Sequence, residues 1–183
     1  VKWESARLTL VQIPVEVLQR RIVGPGFSLD GVQYPASWPG DALPIFPMWL
    51  AQRISNPEGV EWGGMIVEGT SRTAIGTMGV KGLPIANQVE IGYGLIPEAH
   101  GKGYATEIAL VFTEWLLAQT NVQEVWAETH PQNRSSQRVL EKCGFVFQEQ
   151  RPDPAGGFLN RYRLTCSDRA NLLSLTAPDH GKP

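Results

Sequence analysis

The stretch Pro97-Glu98-Ala99-His100-Gly101-Lys102-Gly103-Tyr104-Ala105-Thr106 decides how the rest of the chain is read. It joins a strand-like run at 89–96 to a helix-like run at 104–118. In that second run Tyr104, Ile108, Val111, Phe112 and Trp115 recur at helical spacing, while Glu107 and Glu114 face away. The first N–H groups of a helix have no partner within it, and the positive end of the helix dipole lies there too. Gly101 and Gly103 remove the side chains that would hold a phosphate at a distance. The turn therefore suits a phosphate or pyrophosphate.

Two familiar phosphate loops do not fit. A Walker loop, G-x-x-x-x-G-K-[ST], would need glycine at Ile96 and a hydroxyl at Gly103. A dinucleotide fingerprint, G-x-G-x-x-[GA], would need Gly or Ala at Thr106, and no long run of βαβ units surrounds it.

Working outward, 124–129 reads as a strand, so 89–129 predicts a right-handed parallel crossover. A second helix is expected at 133–143, with Val139, Leu140 and Cys143 inward and Gly144 to end it. Closing strands are expected at 145–150 and 158–165. Toward the N-terminus, 6–13 alternates like a strand, and Pro14 can open a helix over 15–22 with Leu18 and Ile22 on one face. Runs 61–68 and 73–80 predict a hairpin through Gly69-Thr70-Ser71-Arg72. Residues 24–47 hold five prolines beside Tyr34, Trp38 and Phe46, and read as an irregular connection whose aromatics suit a pocket wall or lid. Order resumes at 46–53. Gly92 and Gly94 inside a strand point to a bulge or to the close approach of a ligand.

Composition narrows the class. Sixteen Lys and Arg against 18 Asp and Glu leave a net charge of -2, which argues against a nucleic-acid binder relying on bulk positive charge. Two cysteines, Cys143 and Cys166, exclude a disulfide scaffold and fit a reducing, cytoplasmic setting. No apolar run reaches the roughly 20 residues of a membrane span, and the start lacks a signal-peptide layout. The length fits a single mixed α and β (α+β) domain over 1–165, with 166–183 as a loose tail.

Several stretches in order carry a family likeness: Val89-Glu90-Ile91-Gly92-Tyr93, Gly101-Lys102-Gly103-Tyr104-Ala105-Thr106-Glu107, Ala127-Glu128-Thr129, Asn133-Arg134-Ser135-Ser136 and Val139-Leu140-Glu141-Lys142-Cys143-Gly144-Phe145. Together they resemble the GNAT family of acyl-CoA-dependent N-acetyltransferases, its RimJ/RimL-like branch most of all. The match covers 89–147; the earlier strands match loosely, and 24–53 hardly at all. Two residues depart from the pattern. Glu98 stands where relatives often have Gln or Arg, and Leu140 where many have Tyr.

The resemblance implies a central mixed twisted sheet of six to seven strands, helices on both faces and a splayed strand pair holding acetyl-CoA. It implies a cofactor-binding core at 88–148 and a variable acceptor-side segment at 24–53. Backbone groups of Leu95 and Ile96 would pair with pantetheine, and His100, Gly101, Lys102, Gly103, Tyr104, Ala105 and Thr106 would hold the pyrophosphate. A backbone N–H within 92–95 would polarise the acetyl carbonyl. Glu90 is implied as the base, with Glu128 as its substitute. The Ser136 hydroxyl would hydrogen-bond the departing thiolate, and Asn133 would contact the cofactor, although Asn133 with Ser136 also reads as a helix N-cap.

The expected activity is acetyl transfer from acetyl-CoA to a primary amine, either a protein or peptide N-terminus or a small molecule such as a polyamine, amino sugar or antibiotic. No residue is placed as an acyl carrier, which favours direct attack in a ternary complex. A catalytically silent acyl-CoA-binding sensor is the alternative that Glu98 and Leu140 motivate. His100, His130 and His180 show no ligand spacing, so no metal is expected. Gly26-Phe27-Ser28-Leu29-Asp30 misses the nucleophile elbow at its last position. Cys143, on an apolar helix face, reads as core. No nucleic-acid or membrane partner is expected, and the resemblance leaves room for a homodimer.

Overall fold

The computed structural model describes residues 2–56 and 62–176. Val1, Glu61 at the start of the anticipated hairpin, and residues 177–183 with His180 lie outside the described residues. The chain forms two compact units, 1–81 with 91–112, and 82–90 with 113–183. Among the described residues there are ten strands rather than six or seven, the surplus being three short ones near the N-terminus. No helix among them is long and apolar enough to cross a membrane.

In the first unit, β1 (Lys2–Glu4) and β2 (Leu8–Val11) pair antiparallel, and β2 continues onto β5 (Gly63–Glu68). β5 pairs with β6 (Thr73–Val80), and β6 with β7 (Gln88–Leu95). The expected hairpin is present, its turn braced by the Glu68 carboxylate. Ser71 donates to it from its hydroxyl and its backbone, Thr70 from its backbone, and these bonds hold the Glu68 carboxyl down to about 2. α1 (Val15–Val23) buries Val17, Leu18 and Arg21, while Ile22 stays 39% exposed, so the inward stripe lies one position off the expected one.

The proline-rich segment is more regular than its composition implied. β3 (Phe27–Leu29) and β4 (Val32–Tyr34) form a small hairpin, and a 3₁₀ turn at Gly40–Ile45 leads into α2 (Phe46–Ser55). Trp38 and Phe46 are fully buried, packed edge-on at 5.3 Å. They are core, and not the wall of a pocket. The Trp38 indole N–H donates to the Gly76 carbonyl at 3.2 Å. The buried Arg21 guanidinium donates to the carbonyls of Trp38, Gly24 and Ala36. That buried cation fixes the irregular backbone, at a desolvation cost that lowers its pKa.

β7 runs into a 3₁₀ turn at Pro97–Ala99 and then α3 (Tyr104–Leu117). Ile108, Ala109, Phe112 and Leu116 are its buried residues, and Phe112 meets Trp3 edge-on at 5.1 Å. The β6–β7 register is continuous, so Gly92 and Gly94 mark no bulge there.

In the second unit β8 (Glu124–Thr129) pairs antiparallel with β10 (Phe158–Thr165), and β10 with β9 (Val146–Pro152). Asn87, just ahead of β7, accepts the N–H groups of Gln123 and Glu124. α4 (Arg134–Lys142) ends in a Schellman turn: Gly144, at φ 86°, donates to Glu141, and Phe145 donates to Leu140. Residues 166–176 are a helix, α5 (Cys166–Thr176), and not loose chain. Its start is a capping box in which Thr165 Oγ1 and N–H donate to Asp168, and the Asp168 N–H donates back to Thr165.

Gly76 tests the β6–β7 pairing. A Cβ there would lie 2.2 Å from the Gly94 carbonyl oxygen, whereas one at Gly94 meets nothing within 4 Å. Gly76→Ala is expected to cost about 2 kcal/mol or more in urea unfolding, and Gly94→Ala less than about 0.5 kcal/mol. Equal unfolding midpoints for the two variants would contradict this packing.

Candidate functional site

The first unit carries the glycine turn. Gly101 and Gly103 sit at φ 74° and 78°, a left-handed backbone that glycine adopts without steric cost. Nothing lies within 4 Å of a Cβ built on Gly101, so the outer side of the turn has room. Lys102 is exposed beside it, and Tyr104, Ala105 and Thr106 begin α3 half-buried.

His100 turns away from this loop. Its Nε2 lies 3.0 Å from the Leu95 carbonyl, and since a carbonyl can only accept, Nε2 carries the proton. The imidazole braces the strand end, so a phosphate would meet the backbone of His100 and not its ring.

Ile96 must be withdrawn as a backbone partner for pantetheine. Its N–H donates to Ile75 at 2.8 Å and its carbonyl accepts from Ala99 at 3.0 Å. Since Ile96 bonds β6 and antiparallel pairs alternate, the peptide groups of Tyr93 and Leu95 are directed to the opposite edge of β7. The Leu95 carbonyl accepts from the His100 ring, and its N–H lies on that opposite edge. A Cβ built on Gly94 would meet nothing within 4 Å, so the sheet face is open at that position.

One residue of this region is absent from the sequence reading. Arg7, in the turn between β1 and β2, donates from Nη2 to the Lys102 carbonyl at 3.0 Å and stacks its guanidinium 4.5 Å over the Tyr104 ring. Its Nε donates to Glu107 Oε2 at 2.7 Å, while Ser5 Oγ and the Arg7 backbone N–H donate to Oε1. Glu107 therefore does not face solvent as its helical position implied; its side chain is 19% exposed. Burial alone would raise its pKa, but the bonds from Ser5 and Arg7, with the Arg7 charge, outweigh burial and hold it below the ordinary value.

The second unit holds the other expected residues. The Asn133 carboxamide oxygen accepts the Ser136 N–H at 3.0 Å and the Ser135 hydroxyl at 2.8 Å, so Asn133 is the N-cap of α4. Ser136 is half-buried in the first turn of α4, and Leu140 one turn later is fully packed in the core.

Glu128, the substitute base, is committed elsewhere. Its side chain is 6% exposed, and both oxygens take Arg151, Nε and Nη2, at 2.6 Å, with Arg161 Nε at 3.5 Å. The Arg161 guanidinium carbon lies over Trp126, 4.0 Å from the ring centre. The Arg151 pKa is raised mainly by its bonds to Glu128 and by the charge of Glu128, and also by the charge of Glu90. Both carboxylates therefore act on one guanidinium. Arg151 and Arg161 were not recognisable from sequence, since neither belongs to a motif.

Cys143 is fully buried, and burial pushes its thiol up to about 12 despite the nearby Arg169 charge. That is the reverse of an activated thiolate. Among the described residues no group of three or more His, Cys, Asp or Glu could hold a metal ion.

A family model described as an acetyltransferase (GNAT) domain matches residues 36–146. The uncharacterized N-acetyltransferase YjdG of Bacillus subtilis (strain 168) is 28% identical over 158 residues, covering 82% of this chain and 92% of that relative. Among solved structures, RimL, a ribosomal L7/L12 α-N-protein acetyltransferase in complex with coenzyme A, gives a TM-score of 0.66 at 15% identity, over 92% of this chain and 99% of its own. A spermidine N-acetyltransferase chimera of Vibrio cholerae SpeG and hSSAT gives 0.65 at 15% identity, again over 92% and 99%. At such identities both likenesses speak for the fold alone.

The Glu107 cluster makes a pH prediction. A carboxyl held below its ordinary 4.5 contributes stability that is complete above that value and is lost as pH falls through the lower, folded one. The melting-temperature gap between wild type and Glu107→Gln is expected to be constant from about pH 8 to 6 and to close under stronger acid. A gap that widens on acidification would contradict the bonded carboxylate.

Proposed function

The chain belongs to the GNAT acetyltransferase family, and from that premise we propose that it moves an acetyl group from acetyl-CoA to the α-amine of a protein or peptide by direct attack. The family makes it an N-acetyltransferase that uses acetyl-CoA. The choice of acceptor and the residue roles below are our reading.

The left-handed Gly101 and Gly103 at the start of α3, with open space beside Gly101, carry the cofactor assignment. Backbone N–H groups of 101–106 bind the pyrophosphate, and the exposed Lys102 adds a screened positive charge. On β7, the outward peptide groups of Tyr93 and Leu95 take pantetheine, and an N–H of that edge stabilises the developing oxyanion. Glu90 removes the proton of the attacking ammonium, directly or through water. The Ser136 hydroxyl donates to the departing thiolate. Cys143 supports direct attack, because its buried, protonated thiol cannot carry the acetyl group.

Charge supports the acceptor class. Residues 24–53 hold two carboxylates, Asp30 and Asp41. In or next to that segment in sequence, Ile22, Val23, Ile45 and Met48 are exposed. A polyamine or aminoglycoside brings several cations and is recognised by several carboxylates. A peptide N-terminus brings one amine on a largely neutral body, the acceptor class of the RimL neighbour.

The test is a screen of free-amine peptides, polyamines and amino sugars with acetyl-CoA, using wild type and Glu90→Gln. Peptide acetylation is expected, with kcat about 100-fold lower in Glu90→Gln and CoA affinity unchanged. Turnover of polyamines without peptides would overturn the acceptor. Undiminished kcat in Glu90→Gln would overturn the base, and an isolable acetyl-enzyme would overturn direct attack.

A further inference from the structure

The β1–β2 turn delivers Arg7 to the glycine loop from far away in sequence, and its hydrogen bonds have a directional consequence. A trans peptide is planar, with its C=O and the following N–H pointing opposite ways. Arg7 Nη2 holds the Lys102 carbonyl at 3.0 Å. The Gly103 N–H, in the same peptide plane, is therefore aimed away from Arg7. Without this hold the 102–103 peptide could turn at small cost, since Gly103 imposes no side-chain restraint.

The guanidinium itself is held in place. Its Nε and Nη2 lie 2.7 and 2.6 Å from Glu107 Oε2, and its face lies 4.5 Å over the Tyr104 ring. Glu107 is anchored in turn by Ser5 Oγ at 2.8 Å and by the Arg7 backbone N–H at 2.9 Å. One planar fork thus spans a carboxylate and a carbonyl, which a lysine ammonium cannot reproduce. Its charge is paired with Glu107, and the role argued here is its hold on the Lys102 carbonyl.

We propose that Arg7 is a positioning residue for the acyl-CoA pyrophosphate, acting through the Lys102 carbonyl to orient the Gly103 N–H. The inference rests on the assignment of 101–106 as the pyrophosphate site. It compensates for the acidic Glu98, whose side chain gives a phosphate no help.

The experiment titrates CoA calorimetrically into wild type, Arg7→Met and Arg7→Lys, with melting curves for each. In parallel the Gly103 amide resonance is followed while inorganic pyrophosphate is added. Arg7→Met is expected to bind CoA about tenfold more weakly and to lose the Gly103 response. Arg7→Lys, which stays near Glu107 without spanning to the loop, is expected to be impaired in the same direction, and it serves as the variant if Arg7→Met does not fold. CoA affinity within twofold of wild type in the folded variants would overturn the proposal. So would weakened affinity with an unchanged Gly103 response, because a merely structural role has that signature. Failure of wild type itself to bind CoA would instead overturn the pyrophosphate assignment.

Discussion

The helix α3 begins just after two left-handed glycines, Gly101 and Gly103, and on the proposed reading their turn needs a restraint to keep its N–H groups facing a ligand. Here the restraint is a guanidinium shared between the Glu107 carboxylate and the Lys102 carbonyl. The first unit is arranged around this need. β1 and β2 bring Ser5 and Arg7 to the turn, β7 leads into it, and Trp3 packs on Phe112 of the helix that the turn opens. On the proposed reading, binding through backbone donors tolerates variation in side chains at the loop, Glu98 included.

In the second unit the recurring theme is carboxylates sorted by their partners. Glu128 is clamped by Arg151 and approached by Arg161, which is itself stacked on Trp126. The charge of Glu90 also acts on the Arg151 guanidinium. Glu128 is thus committed to an ion pair, which agrees with the proposal of Glu90 as the base.

Much of this was readable in the sequence because the relevant signals are local. α3, β8 and β10 follow apolar periodicity, and the Asn133 cap and the Gly144 stop lie within a few residues of the helix they bound. Two local signals were present and passed over. Asp30-Gly31, at φ 50° and 73°, is the turn of the β3–β4 hairpin, and Thr165-Cys166-Ser167-Asp168 is the capping box of α5. The rest could not be read locally. Arg7 meets Glu107 across 100 positions, and Arg151 meets Glu128 across 23. Ile96 looked available for a ligand until the strand register gave its N–H to Ile75. The aromatics of 24–47 resembled a pocket lining, yet Trp38 and Phe46 are core, because Arg21 and the Gly76 carbonyl satisfy the backbone and indole groups buried with them.

The central claim is that the backbone of the glycine turn holds the phosphates of CoA. Its most direct test is the CoA affinity of Gly103→Val, measured beside its melting temperature. Valine at φ 78° is strained by about 1–2 kcal/mol and brings a branched side chain to the turn. The account expects a folded protein, slightly less stable, whose CoA affinity falls by more than tenfold, well beyond what the loss of stability explains. A folded Gly103→Val that binds CoA as wild type does would contradict it, and the cofactor would have to be held elsewhere.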